Sequence, residues 1–208
     1  MDYGTLKADI AEYSHRTSDT EFVAAIPGFV TRAYSSLNSV LRLVGMEQTT
    51  TLSFVDGQTN EPPGFLETRS VTGAAPGGGH YELPAVSQSM LGRYVFGQYP
   101  IVYAMVDGIF YTAPALTGDL TLNYYEAVPV PVADLDTDVF LTRYETMTFD
   151  ACMEWAGKWQ VDLETAGSYG QAWRAAVVMA NRESARTRLG SNARATRPSR
   201  PATRVTGT

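Results

Sequence analysis

Residues 137–188 read TDVFLTRYETMTFDACMEWAGKWQVDLETAGSYGQAWRAAVVMANRESARTR, and this segment has the clearest helical periodicity in the chain. Two series of mostly apolar residues recur in it at spacings of three and four, which is the period of a helix that buries one face. The first series is Phe140, Tyr144, Met147, Ala151 and Trp155, and the second is Leu163, Ala166, Gly170, Trp173, Val177, Ala180 and Ser184. The pattern predicts two helices, joined near residues 160–162, that pack as an antiparallel hairpin.

The two series are expected to meet in a helical seam. Its principal members are Phe140, Tyr144, Trp155, Leu163, Trp173 and Val177. An apolar stripe of this kind is far more typical of a protein core than of a cofactor site. The seam therefore predicts packing and not chemistry.

Two helical segments also open the chain. Thr5 is a candidate N-cap for a helix that reaches about Arg16, and Asp19 is a candidate cap for a short turn that follows. Pro27 either kinks that turn or, as we favour, takes the first position of a new helix that ends near Val44. The sequence thus predicts helices at both ends of the chain.

The residues between these helical ends alternate between apolar and polar side chains, as β-strands do. The dipeptide Asp107-Gly108 between two such runs is the strongest hairpin signal, and Asp56-Gly57 is a second turn. A short helix is expected near residues 87–92, and the Val128–Pro131 segment leads out of the sheet.

The predicted fold class is α+β, an antiparallel helical bundle with a β-rich insertion and a basic C-terminal arm that is disordered or extended. We divide the chain into N-terminal helices of the bundle (1–44), the β-rich insertion (45–134), the C-terminal helical hairpin (135–188) and the arm (189–208).

Charge is distributed very unevenly along the 208 residues. Residues 181–208 hold seven arginines and the single acid Glu183, a net charge of +6, so that residues 1–180 carry −12 of the total of −6. Beyond Gly190 the sequence has too little apolar surface to fold alone. The arm either docks on an acidic protein groove or a phosphate backbone, or remains a solvated tail.

The composition predicts a globular protein with a real core. Apolar residues make up 44% of the chain, yet no run approaches the roughly 20 that a membrane span needs. The only cysteine, Cys152, lies on a predicted helical face and is interpreted as a small buried hydrophobe.

The sequence contains no clear catalytic pattern. The Gly77–Gly79 run lacks the lysine and hydroxyl residue of a phosphate-binding loop, and His15 and His80 have no neighbours at metal-ligand spacing. Carboxylate pairs such as Asp150 with Glu154 are suited in principle to glycosidic cleavage, but on a helix they are more typical of a solvated face. No catalytic residue, cofactor or metal is predicted.

The order of these elements resembles the head-to-tail adaptor proteins of short-tailed bacteriophages, the tail accessory or gateway class. The resemblance covers nearly the whole chain. Its motifs are the Ile26-Pro27-x-Phe29 helix start, the Asp-Gly hairpin followed by Ala113-Pro114, the Tyr124-Tyr125 strand, and Leu141 with Arg143 at the entry to the third helix.

The resemblance implies a structural role without enzymatic activity. Such an adaptor forms a ring, of twelve copies, beneath the portal protein, extends the DNA channel, and offers a docking platform for tail nozzle or tail fibre proteins. Genomic DNA would pass through without sequence-specific binding or any membrane contact. The protein would be part of the virion, at the tail or neck, after assembly in the host cytoplasm. The expected portal-binding residues are Arg186, Arg188, Arg194, Arg197, Arg200 and Arg204.

Two other functions remain open from the residues alone. One is a peptidoglycan hydrolase associated with the tail, which requires an acid of raised pKa beside a second carboxylate. The other is a nucleic-acid-binding protein whose basic arm grips phosphates. Zymography tests the first, and salt-dependent DNA binding tests the second.

Overall fold

The computed structural model describes residues 1–74, 78–94, 96, 97 and 99–193, and these residues form six helices and two antiparallel sheets. The predicted α+β class is confirmed. The helices are α1 (Tyr3–Tyr13), α2 (Thr20–Val40), α3 (Gln88–Leu91), α4 (Val139–Arg143), α5 (Glu145–Trp159) and α6 (Leu163–Ala193). The strands are β1 (Glu47–Phe54), β2 (Gln58–Asn60), β3 (Phe65–Ala74), β4 (His80–Leu83), β5 (Val102–Val106), β6 (Ile109–Ala113) and β7 (Gly118–Glu126). No described helix has both the length and the apolar composition that a membrane crossing requires.

The first two helices begin at aspartate caps. The cap of α1 is Asp2 and not the predicted Thr5, because the Asp2 carboxylate accepts a hydrogen bond from the Thr5 backbone N–H at 2.8 Å. Asp19 caps α2 as predicted and accepts from the first backbone N–H groups of that helix at 3.1 Å. α1 ends at Tyr13, before the predicted Arg16, where His15 adopts a left-handed backbone with φ of 54°.

Pro27 does not start a helix, and the favoured prediction at this position is wrong. α2 runs without a break from Thr20 to Val40, with Pro27 inside it. The carbonyl of Val23 loses its usual partner there, but Val23 and Pro27 both lie on the exposed face, where solvent can take the place of that partner. The opposite face is a continuous buried stripe of Phe22, Ile26, Phe29, Val30, Ala33 and Leu37, which keeps the two halves of the helix in line.

The described residues contain two separate hydrophobic cores. The helical core lies between α1, α2, α5 and α6 and includes Tyr34, Phe140, Cys152 and Trp173. The smaller core lies within the β region and includes Phe54, Val71, Phe110 and Leu122. Cys152 is fully buried, as its helical position predicted, and burial raises the pKa of its thiol.

The β region consists of a four-stranded sheet in the order β1-β7-β3-β4 and a three-stranded sheet in the order β2-β6-β5. Both predicted Asp-Gly turns are present, at Asp56-Gly57 and Asp107-Gly108, and all four residues have positive φ angles between 49° and 78°. That geometry matches the right-handed twist of the paired strands, which explains why Asp-Gly is favoured in such turns. The predicted short helix is α3.

The segment between β7 and α4 is held against the opening helices. The Asn38 side chain pairs with both backbone groups of Val128, at 2.9 and 3.0 Å. Asp138 caps α4 and also accepts a hydrogen bond from the Tyr34 hydroxyl at 2.7 Å. These contacts order a proline-rich connection by side-chain hydrogen bonds.

The closing helices differ in part from the prediction. The first predicted helix is divided at Tyr144 into α4 and α5, since Tyr144 leaves helical geometry with φ of −127° and ψ of 37°. The hairpin of α5 and α6 and its turn at residues 160–162 are confirmed. α6 continues to Ala193, so residues 189–193, which the prediction placed in the arm, are helical.

Candidate assembly site on the C-terminal helix

The face of α6 that packs on the protein begins at Ala166. Trp173 and Val177 are buried in the helical core, as is Phe140, while Tyr144 and Trp155 are half-buried at its edge. Leu163 is 72% exposed and lies outside the seam in which it was predicted. Leu163 is the first residue of α6 and directly follows the turn. Its side chain is not covered by α5, which ends at Trp159.

Small residues bring α5 and α6 close together near their turn. A Cβ atom added at Gly157 would lie 3.0 Å from the backbone nitrogen of Ala166 and 3.1 Å from its Cα, so a side chain there would push the helices apart. A Cβ atom at Gly170 would lie 3.0 Å from the Glu154 carboxyl carbon. The glycines therefore set the distance at which Glu154 reaches α6.

Glu154 is a buried carboxylate at the centre of a polar network that the sequence did not reveal. Its carboxylate accepts hydrogen bonds from Trp173 Nε1 at 2.5 Å and from Lys158 Nζ at 2.7 Å, and two from Arg174 at 3.0 and 3.2 Å. Burial raises the pKa of Glu154, but these donors outweigh it and hold the pKa below its ordinary value. Glu154 is not part of a solvated helix face, and its carboxylate is committed to structural hydrogen bonds rather than to acid catalysis with Asp150.

Beyond the apolar seam, the same face of α6 becomes polar. Asn181, Ser184 and Arg188 continue the spacing of three and four, and they bind the irregular backbone between α2 and β1. Asn181 Oδ1 accepts from the Arg42 backbone N–H at 3.0 Å, Ser184 Oγ accepts from the Val44 backbone N–H at 2.7 Å, and Arg188 donates to the Arg42 carbonyl at 2.7 Å. These bonds satisfy backbone groups that have no partner in a helix or a sheet. The segment is irregular because α2 ends at Val40 and not near Val44, where its end was predicted.

Arg188 also belongs to a charged cluster where the helices meet the four-stranded sheet. Its Nε donates to Glu47 at 2.6 Å, and the second oxygen of the same carboxylate pairs with Arg69. The guanidinium groups of Arg42, Arg69 and Arg188 lie between 5.3 and 5.9 Å from the centroid of the buried Tyr125 ring. We call Arg42, Glu47, Arg69, Tyr125 and Arg188 the junction cluster.

Burial raises the pKa of the Tyr125 hydroxyl, and Arg188 and Arg69 partly offset the effect. The ring remains neutral over the physiological range, so its role in the cluster is to present a face to three cations. Beside the cluster lies an open polar groove of about 540 Å³, lined in part by Glu47, Arg69 and Glu82.

The six predicted portal-binding arginines fall into three groups. Arg188 is held in the junction cluster, and Arg186 is exposed on the outer face of α6. Arg194, Arg197, Arg200 and Arg204 lie outside the described residues. α6 is thus anchored through Arg188 and extends beyond that anchor as a helix to Ala193, from which the basic segment continues.

A signal for this anchor was present in the sequence. Ser184 is the last member of the predicted series, Asn181 directly follows its member Ala180, and Arg188 lies one turn beyond Ser184. Polar residues at such positions indicate a partner with free backbone groups or charges. What the period does not identify is the partner, because Arg42, Glu47 and Tyr125 come from distant segments of the chain.

Among the described residues, no group of three or more histidine, cysteine or acidic side chains is arranged to hold a metal ion. His15 lies two residues after the end of α1, and His80 is the first residue of β4.

Comparison with known proteins gives one family. The family model described as SU10 adaptor protein matches residues 1–204, which is nearly the whole chain. No curated protein matches the sequence.

Proposed function

The chain belongs to the SU10 adaptor protein family, and on that premise we propose that it is a head-to-tail connector of a phage virion. It is a phage adaptor, a structural component that associates with portal and tail components. The finer proposal is that copies of the chain form a ring, of twelve, beneath the portal, extend the DNA channel and dock the tail nozzle or fibres of a short-tailed phage. We propose no enzymatic activity.

The observation that supports portal attachment through the C-terminus is the anchor at Arg188. A segment that must carry load needs a rigid starting point, and α6 is fixed by the seam, by the polar contacts of Asn181 and Ser184, and by the junction cluster. The basic segment follows immediately. Residues 194–208, if extended, span at most about 50 Å, which is enough to cross from one protein onto another.

The charge of the segment selects its partner. Four arginines in residues 194–208 with no acidic residue suit a surface of carboxylates or backbone carbonyls, to which guanidinium groups bind in a fixed planar geometry. Attachment repeated around a ring needs only modest contacts from each copy, because the copies bind together.

The acidic remainder of the chain suits a channel for DNA. Residues 1–180 carry a net charge of −12, and a surface of that sign repels phosphates instead of holding them. A basic lining would retain the genome during ejection. The negative charge of residues 1–180 also disfavours sequence-specific DNA binding by this part of the protein.

We further propose that the helical part, residues 1–44 and 135–188, is a bundle that forms the ring, and that the β-rich insertion of residues 45–134 faces the tail. The two separate hydrophobic cores support this division. Residues 194–208 form the arm, which orders on the portal.

Electron microscopy and native mass measurement of the purified chain with and without its portal test this proposal. We expect a monomer or loose oligomer alone and a closed ring of twelve on the portal. A stable ring of another number without portal, or no complex with portal at all, would contradict it.

A further inference from the structure

We propose that a groove formed by α1, α5 and α6 is the site at which a second copy of this chain binds, through arginines on the outer face of its own α6. This inference rests on the proposed ring and names the two surfaces that would join its subunits. It comes from one groove and one stripe of side chains, both among the described residues.

The groove combines aromatic walls with carboxylates. Its volume is about 350 Å³, and its lining includes Asp9, Tyr13, Phe149, Asp150 and Tyr169. The Phe149 ring lies between the other two, with centroid distances of 5.1 Å to Tyr13 and 6.3 Å to Tyr169, both edge-on. Tyr13 is 64% exposed, an unusual position for a large aromatic ring with no covering segment among the described residues.

The carboxylates of the groove are available to an incoming cation. Neither Asp9 nor Asp150 forms an ion pair with a described residue, and burial raises the pKa of Asp150. The third acid, Glu145, lies 3.3 Å from the Met1 amino group. Flat aromatic faces beside carboxylates suit a guanidinium group, which stacks on a ring and hydrogen-bonds in one plane.

The matching cations are on α6. Arg182 and Arg186 are exposed, lie one turn apart, and form no ion pair with a described residue. On the same face, Met179 is 67% exposed one turn earlier. The stripe Met179, Arg182 and Arg186 therefore offers one apolar and two cationic side chains, which complement the aromatic rings and the two unpaired carboxylates of the groove.

Most other described cations are already engaged. Lys7, Arg16, Arg42, Arg69, Arg143, Lys158, Arg174 and Arg188 all form ion pairs within the chain, and Arg32 lies over the Trp155 ring at 5.5 Å. Among the described side chains, Arg182 and Arg186 are two neighbouring cations that have no ion pair within the chain and can bind a partner.

The groove and the stripe of a single copy are too far apart to contact each other. Tyr169 and Arg186 lie on the same helix, 17 residues apart, which corresponds to about 25 Å along its axis. A contact between the groove of one copy and the stripe of the next is heterologous, and heterologous contacts generate rings when the rotation closes. The inference thus supplies the type of interface that a ring of identical subunits needs.

Charge reversal on each face tests the contact. One variant carries Asp9→Lys and Asp150→Lys, and the other carries Arg182→Glu and Arg186→Glu. Each variant alone is expected to lose ring formation on the portal, because like charges then meet at every contact. A 1:1 mixture is expected to restore rings, since alternating copies again place opposite charges together.

The controls are Arg93→Glu and Glu82→Lys, exposed reversals away from both surfaces, which should leave ring formation unchanged. Melting measurements establish that each variant is folded. Because Asp150 is half-buried, Tyr13→Ala serves as a second groove variant that alters only an exposed ring; a tenfold or greater loss of ring formation is expected.

The possible outcomes are distinct. Rings from the Arg182→Glu, Arg186→Glu variant alone, or a mixture that fails to restore assembly, would overturn the inference while leaving the connector function intact. Failure of the parent chain to form rings on the portal would instead overturn the proposed function.

Discussion

The two halves of α6 are held to the protein by different chemistry. The first half buries Trp173 and Val177 against the helical core, and the hydrophobic effect holds it. The second half places Asn181, Ser184 and Arg188 on an irregular backbone segment, and hydrogen bonds hold it. The first half should therefore determine whether the chain folds, and the second should determine the direction in which α6 leaves the fold.

The largest expected effect on stability is that of Trp173→Ala in the first half. The change empties a buried site and removes one hydrogen bond to Glu154, so the free energy of unfolding should fall by about 3–5 kcal/mol. Chemical denaturation of the parent and the variant measures it.

Leu163→Ala is the matched control, on the same helix and in the same predicted series. Because Leu163 is 72% exposed, its loss should change the free energy of unfolding by less than about 0.5 kcal/mol. Similar losses for the two variants would show that the seam begins at Leu163 after all.

Glu154→Gln should give the next largest effect, and the effect should depend on pH. Hydrogen bonds to a charged group contribute about 1.5–3 kcal/mol, so a loss of about 2 kcal/mol is expected at pH 7. The folded protein holds the pKa of Glu154 below its ordinary value. The stabilisation is therefore complete above the unfolded pKa of about 4.3 and is lost as the pH falls through the lower folded value.

Urea unfolding of the parent and of Glu154→Gln at pH 7, 5 and 3 tests this dependence. The difference between the two proteins should be constant from pH 7 to 5 and shrink by pH 3. A difference that grows on acidification would mean that the carboxyl is protonated in the folded protein.

Loss of the polar contacts in the second half should have a smaller and more local effect. Ser184→Ala leaves the Val44 backbone N–H without its acceptor, and about 1 kcal/mol of stability should be lost. Hydrogen exchange should accelerate at Val44 while the amides of α5 retain their protection. Ser168→Ala is the control, because the Ser168 hydroxyl donates to the Glu164 carbonyl of its own helix. Faster hydrogen exchange throughout α5 in the Ser184→Ala variant would contradict a local role for Ser184.

The parts of the fold that depend on local properties could be predicted from the sequence. The apolar series identified the α5–α6 hairpin, and Asp-Gly dipeptides identified both turns, because periodicity and turn chemistry are local properties. Pro27 was misassigned because a proline is tolerated inside a helix when its unpaired carbonyl faces water, and burial of the opposite face is a tertiary property.

The partners of Glu154 and of the polar residues in the second half of α6 could not be predicted, for a related reason. Polar side chains are interpreted from local sequence as solvent-facing, whereas their burial depends on partners that the fold supplies. Local sequence predicts a solvated face for Glu154 because Trp173 and Arg174 come from the next helix, and it predicts portal binding for Arg188 because Glu47 is far away in sequence. Residues 194–208 lie outside the described structure, so the arm remains a prediction.

Deletion of residues 194–208 tests the central claim most directly, since it leaves every described residue in place. We expect an unchanged melting temperature, because no contact of the seam, of Glu154 or of the junction cluster is removed. We also expect the loss of stable attachment to purified portal in co-sedimentation. If the shortened chain sediments with portal as fully as the parent does, attachment does not depend on the arm and its proposed role is wrong.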